Sequence, residues 1–365
     1  MSSLNSEGPP GSGGGGDQHG SSEDSTSDYA ETVDFSEFTS IDTAQMVHRY
    51  KNGRRYQGWF DERYGLPNDD TEQAREHLKH RVYSDYLLNG EFFKAPIGDN
   101  PQKIVDLGTG AGFWPIDVAE KFPSARVIGT DISAIQPPWS PPNAEFRVED
   151  LDDADRPWTR IYAGADLIHT RSVIQTVRHP ELFLQRAYEY DHDQPPRLPP
   201  SWPLVNKTVS DQVRNRNLKP GGWIECHDLF IPVTWEDGTP AMDHPVQRLY
   251  DLVNDGPFAQ KYGWQLYFPP TLPQVLRQMG FVNIQEQHTP IPLGRWSRRS
   301  RDREMGMFNQ DNLIDWTAAL LIRHEDLGIT EEEARQLCQE TLMAMDNTKV
   351  HARLDWGIVW AQKPL

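Results

Sequence analysis

Residues 104–114 read Ile-Val-Asp-Leu-Gly-Thr-Gly-Ala-Gly-Phe-Trp, and no other stretch of the chain packs as much potential chemistry into as few residues. A short apolar run ends in Asp106, Gly108, Gly110 and Gly112 follow at alternate positions, and a segment able to start a helix comes next. Strand, glycine turn and helix form the ligand-binding corner of an open α/β sheet, because the glycines remove Cβ atoms where a ligand must approach the backbone and permit positive φ. The spacing does not fit a dinucleotide site. Gly-x-Gly-x-x-Gly fails from Gly108, where the third glycine would be Phe113, and from Gly110, where it would be Pro115. A second apolar run, Val127-Ile128-Gly129-Thr130, closes in Asp131, 19 residues beyond Gly112. That is the separation at which an acid takes ribose hydroxyls after one helix and one strand, and a carboxylate can accept both bonds of a vicinal diol. An ordinary strand-end aspartate is the competing reading; the glycine loop upstream favours the ribose.

The elements that must position these groups follow in order. Trp114 to Phe122 suits the crossover helix between the first two strands. A third strand covers 144–148 and runs into Glu149-Asp150-Leu151; a fourth covers Ala165 to His169. A fifth, Gly222 to Cys226, is introduced by the turn Leu218-Lys219-Pro220-Gly221-Gly222. Such strands with helical crossovers predict a parallel sheet covered on both faces. Residues 43–95 read as a helical N-terminal cover, with Tyr50, Arg55 and Tyr56 as candidates to stack on or hydrogen-bond a ligand, or simply to pack. Two more helical blocks, about 241–279 and 303–346, are expected to contribute a lid. Leu313, Trp316, Leu320 and Leu321 recur there at helical spacing.

Taken together, these features resemble the class I S-adenosylmethionine-dependent methyltransferases, and within them the fungal LaeA-type enzymes and regulators of secondary metabolism. The resemblance covers roughly residues 43–365. It rests on Asp-x-Gly-x-Gly-x-Gly at 106–112, on Tyr56 with Leu66-Pro67-Asn68-Asp69, and on Gly129-Thr130-Asp131-Ile132-Ser133. It rests also on Pro142 to Phe146, Leu167 to Arg171, Leu218 to Glu225, Pro290 to Gly294, and Gly357 to Pro364. It implies a Rossmann-like seven-stranded sheet whose last strand is antiparallel and inserts between the fifth and sixth, with Ile358-Val359-Trp360-Ala361 as that strand. It further implies S-adenosylmethionine as cofactor, held by Tyr56, Asp106, Gly108, Thr109, Gly110, Gly112, Asp131, Ile132, Asp150 and Leu151. Asp150 is the acid facing the adenine amino group, with Glu149, Asp152 and Asp153 as rivals.

Composition bounds the rest. The net charge is −18, and residues 1–42 carry nine acids and no lysine or arginine. This Gly/Ser-rich acidic tail is expected to be disordered. An acidic chain without a basic stripe is a poor binder of nucleic acid, so none is expected as a partner. Arg295, Arg298, Arg299, Arg301 and Arg303 read as a solvated loop first and a contact for an acidic partner second. No long apolar span predicts a membrane helix and no leader is evident, so the protein is expected inside the cell, in cytoplasm or nucleus. Cys226 and Cys338 are too few for a disulfide framework, and no metal-ligand cluster is visible. Residues 190–216 hold five prolines and interrupt the junction between Glu189 and Asn217. They read as a disordered Pro-rich insertion, whose presence in the mature protein transcript sequencing would test.

For chemistry at the sheet's carboxyl edge the candidates are His169 and Arg171, with Glu225, Asp228 and, more weakly, His227; His169 reads either as a general base when the acceptor must lose a proton or equally as a hydrogen-bonded structural residue. The expected function is methylation of a small-molecule secondary metabolite. The alternative is a LaeA-like regulator working in a nuclear complex with regulatory protein partners.

Overall fold

The computed structural model describes residues 48–58, 60, 63–153, 158, 160–188, 217–236 and 244–365. The tail at 1–42 and the insertion at 190–216 therefore lie outside the described residues. Seven strands form the main sheet: β3 (Lys103–Leu107), β4 (Arg126–Asp131), β5 (Ala144–Val148), β6 (Ala165–Arg171), β7 (Leu218–Trp235), β8 (Val282–Pro292) and β9 (Ala352–Gln362). Their order is β5-β4-β3-β6-β7-β9-β8. Strands β5 to β7 pair in parallel, while β9 runs antiparallel between β7 and β8, as expected from Ile358 to Ala361. The central strands are apolar almost throughout because both of their faces are covered: Ile104, Val105, Leu107, Leu167 and Ile168 are wholly buried.

Helix α2 (Phe113–Lys121) covers one face with Trp114 and Val118, and α3 (Pro180–Tyr188) and α6 (Leu272–Gln278) cover the other with Phe183, Leu184 and Leu276. Beyond the carboxyl ends of β7 and β8 lies a helical layer: α4 (Pro245–Asp255), α5 (Pro257–Tyr262), α7 (Ser300–Leu321), α8 (His324–Leu327) and α9 (Glu331–Asp346). These helices share a core that includes Leu249, Val253, Phe258, Leu313, Leu320 and Leu321. The amphipathic face read from sequence is thus the buried face of α7. Helix α9 opens on a capping box, Thr330 with Glu333.

Two expectations need correction. The segment from residue 43 is not helical throughout, because β1 (His48–Lys51) and β2 (Arg54–Gln57) form a separate hairpin. Helix α1 starts only at Asp70 and runs to Val82, continuing as a π-helical turn through Leu87. The hairpin turns at Asn52 (φ 50°) and Gly53 (φ 78°), the left-handed pair that an Asn-Gly turn supplies. The Pro-Gly-Gly turn before the fifth strand is instead an irregularity within β7: pairing with β6 jumps from Ala165–Leu218 to Leu167–Trp223.

Candidate functional site

The glycine turn sits where β3 leaves the sheet. Gly108 and Thr109 both donate their N–H to the Thr130 carbonyl at 2.8 Å, which folds the turn back over the end of β4. Gly108 has φ 75°, and a Cβ there would lie 2.3 Å from Cγ2 of Val173. Gly110 has φ 57°, and a Cβ there would meet nothing within 4 Å. The first glycine is thus required by the protein's own packing. The second holds open the backbone edge of a cleft.

That cleft runs along the carboxyl ends of β3, β4 and β6. It is lined by Gly108, Gly110, Ala111, Asp131, Ile132, Asp150 and Leu151, and by Arg171, Ser172 and Val173 after β6. Asp131 accepts from Gly110 N–H at 2.7 Å with one carboxylate oxygen and from Ser133 N–H at 2.8 Å with the other. Each oxygen retains acceptor capacity toward a ligand hydroxyl. Burial pushes its pKa up to about 6, against the opposing pull of those two N–H groups.

The loop after β5 gives each of three acids its own partners. The Glu149 carboxylate takes the Tyr162 hydroxyl, and Asp152 accepts from the backbone N–H of Arg178 and His179. Asp150 meets the Arg63 guanidinium at 3.2 Å at the cleft wall. Asp150 also accepts from the backbone N–H of Asp152 at 3.0 Å, and Glu149, Asp150 and Asp152 all line the cleft, so Asp150 and its rivals there each keep a place beside a ligand.

Other expected residues lie behind the cleft. Asp106 is buried beneath the turn, accepting from the Thr109 hydroxyl at 2.7 Å and meeting Nδ1 of His169 at 2.7 Å. Gly112 caps α2 with φ 83°, packed against Phe146. Tyr56, on β2, is not brought to the cleft: it is buried with its ring 4.8 Å from the Arg323 guanidinium.

Of the two readings of His169, base or hydrogen-bonded structural residue, its surroundings fit the second: it is wholly buried and lines no part of the cleft. Its ring stacks on Trp114 with centroids 3.9 Å apart and planes 2° apart. Burial holds its pKa well below the ordinary imidazole value, so it is neutral. A strand in mid-sheet has no solvent face, and that, rather than chemistry, decides where this histidine points. Glu225 and His227 are likewise inside the protein, with Glu225 accepting from the N–H groups of Lys94 and Ala95 and pairing with His227 at 2.5 Å. Asp228 is wholly buried, and burial drives its pKa well above the carboxylate range.

Sequence reasoning missed one wall. Asn68, Glu72, Gln73, Glu76 and Lys79 line the cleft from α1 and the residue before its cap. Asp69 caps the helix through Glu72 N–H and binds Arg54 of the hairpin at 2.6 Å, which locks β2 to α1. The signal lay in the spacing 72, 75/76, 79, which puts these charges on one helical face. Arg75 binds Glu72, Glu76 and, at 2.7 Å, Asn312 of α7; Lys79 binds Glu76 at 2.6 Å. Burial would raise the Glu76 pKa, but Lys79 and Arg75 prevail and hold it down at about 2.

An inserted antiparallel strand in a doubly wound sheet, with a glycine turn and a strand-end acid on one cleft, is the arrangement of a class I S-adenosylmethionine-dependent methyltransferase. Residues 75–194 match the family model described as a methyltransferase domain. The chain is 29% identical over 332 residues to methyltransferase pytC of Aspergillus terreus, covering 89% of this chain and 91% of that protein. It is 28% identical over 336 residues to the secondary metabolism regulator LAE1 of Cochliobolus heterostrophus, covering 88% and 96%. Among solved structures, the Haemonchus contortus phosphoethanolamine N-methyltransferase 2 complex with S-adenosyl-L-methionine aligns with TM-score 0.45 and 14% identity, over 85% of this chain and 62% of that one. Residues 75–194 thus match a methyltransferase domain, and the chain as a whole resembles the fungal secondary-metabolism group. Among the described residues no helix is long and apolar enough to cross a membrane.

Proposed function

We propose that this enzyme, residues 43–365, methylates a small-molecule secondary metabolite inside the cell, in cytoplasm or nucleus. The observation that carries the reading is one continuous wall. The ligand-facing edge at Gly110, the Asp131 carboxylate and the acids of α1 line a cleft that shares Tyr64, Glu76, Lys79, Ser172 and Thr176 with a second, aromatic cavity under the helical layer. The residues fit the cofactor: a turn without side chains suits its methionine end, Asp131 suits the ribose, and Asp150 with Ile132 and Leu151 suits the adenine. Asp106 and Thr109 hold the turn from beneath, with Gly112 starting α2.

When bound, S-adenosylmethionine supplies an electrophilic methyl group on a sulfonium. The chain's own share is orientation and exclusion of water. Glu76, with its pKa near 2, is too weak a base to draw a proton at neutral pH. Ser172, where the two cavities meet, is a non-glycine residue at φ 58° whose N–H is tied to the His227 carbonyl at 2.8 Å. A strained residue held there by the sheet can fix the approach of an acceptor.

Calorimetric titration with S-adenosylhomocysteine tests the reading. Wild type should bind and Asp131→Ala should lose most of the affinity; a folded wild type that takes no ligand overturns it. The resemblance to proteins named as regulators supports a second reading, in which the acceptor is a protein and regulatory partners assemble on the enzyme. Recovery of regulatory proteins in a pull-down, with no metabolite altered on deletion, favours that reading.

A further inference from the structure

We infer that the second cavity accepts a flat, uncharged aromatic molecule bearing a hydroxyl or keto oxygen, and that this is the chemical class of the methyl acceptor. The inference rests on the proposed methyltransferase function and narrows its substrate. The walls are aromatic: Tyr64, Tyr83, Tyr250, Trp264 and Trp316 converge there from the segment between β2 and α1, α1's extension and the helical layer. Aromatic walls favour a planar guest, by stacking and edge contacts.

The cations on the wall are Arg75 and Lys79, and both are committed. Arg75 holds Glu72, Glu76 and Asn312, while Lys79 holds Glu76. An entering carboxylate would shed its water with no uncommitted cation among the cavity's own lining residues, and an entering ammonium would have to compete with two cations for Glu76. Burying a charge unpaired is far costlier than burying a neutral group that is hydrogen-bonded.

Three lining residues carry buried polar atoms without a partner among the described residues: the Tyr250 hydroxyl, the Trp264 indole N–H and the Gln175 amide oxygen. Buried polar atoms are usually paired, so these three offer hydrogen-bonding capacity that a guest in the cavity can use. Two of the three can donate, which suits an oxygen acceptor on the guest, and the Gln175 oxygen suits a hydroxyl donor.

The experiment uses the full chain saturated with S-adenosylhomocysteine and, as probes, 2-naphthol and its anionic counterpart 2-naphthoate, followed by calorimetry. We expect 2-naphthol to bind and 2-naphthoate to bind at least about tenfold more weakly. Tyr250→Phe, which keeps the ring and removes the donor, and Trp264→Phe, which keeps an aromatic side chain but removes the donor with part of the ring system, should each weaken 2-naphthol at least about fivefold while leaving S-adenosylhomocysteine affinity unchanged. Equal binding of the two probes overturns the inference, as does undiminished 2-naphthol affinity in both variants. A wild type that binds S-adenosylhomocysteine and refuses 2-naphthol sinks only this inference. One that refuses both sinks the proposed function first.

Discussion

The pKa of Asp131 makes cofactor affinity depend on pH in a direction that can be worked out in advance. The carboxyl is part-buried at the cleft wall, and that burial raises its pKa from 3.8 to about 6 in the free protein. Ribose hydroxyls donating to it would stabilise only the ionised form, so binding lowers its pKa and releases a proton. Affinity for S-adenosylhomocysteine should therefore rise with pH and level off above about 6. About one molecule in ten is ionised at pH 5 for a pKa near 6, so affinity there should be about tenfold weaker than at pH 8, or about 1.4 kcal/mol. Titration calorimetry in two buffers of different ionisation enthalpy gives both the affinity and the proton released. Asp131→Asn should bind more weakly and flatten the curve. A flat wild-type profile between those pH values, or a slope that persists in Asp131→Asn, refutes the assignment. The same shift acts on folding with its own sign. The folded state keeps this proton to about pH 6, whereas the unfolded chain loses it near 3.8. The ligand-free protein should accordingly lose stability from this group as pH rises through that window.

Other predictions separate packing from binding. Gly108→Ala forces a Cβ against Val173 and should cost about 1–3 kcal/mol, read as a lowered melting temperature. Gly110→Ala meets open space, so it should cost about 1 kcal/mol of backbone strain yet weaken S-adenosylhomocysteine at least about tenfold; unchanged affinity would remove the turn from the cofactor site. His169→Ala should destabilise by about 2–4 kcal/mol by emptying the space against Trp114. His169→Asn, if folded, should keep its turnover rate within about threefold with an unaltered pH profile; a hundredfold loss at unchanged melting temperature would restore the histidine to the chemistry. Thr330→Ala should remove the α9 cap at about 1 kcal/mol, with cofactor affinity untouched.

What could be read from the residues and what could not divides along physical lines. The strands that carry the cleft announced themselves, because a central parallel strand must be apolar on both faces and end where a polar turn begins: Ile104 to Asp106 and Val127 to Asp131 do both. Even the inserted antiparallel strand was recognisable. The β1–β2 hairpin was not, since His-Arg-Tyr-Lys and Arg-Arg-Tyr-Gln show no apolar alternation; only Asn52-Gly53 betrayed it. For His169 and Tyr56 the choice between a packing and a ligand role was illegible for another reason. A side chain's neighbours depend on elements distant in sequence, Trp114 for the one and Arg323 for the other. The charged face of α1 was present as a pattern, but nothing local said that it would turn toward a ligand rather than toward water.

The inserted strand also imposes a schedule on the chain. Strand β8 touches the sheet only through β9, which is made later, and β7 meets its outer neighbour only then. During synthesis the parallel strands can assemble in the order they emerge, while β8 waits without a partner for residues 352–362. Those residues then slide into a slot bordered on both sides and close the sheet from within. A ribosome stalled in α9 would thus hold five paired strands with the outer edge of β7 open and β8 still without a partner.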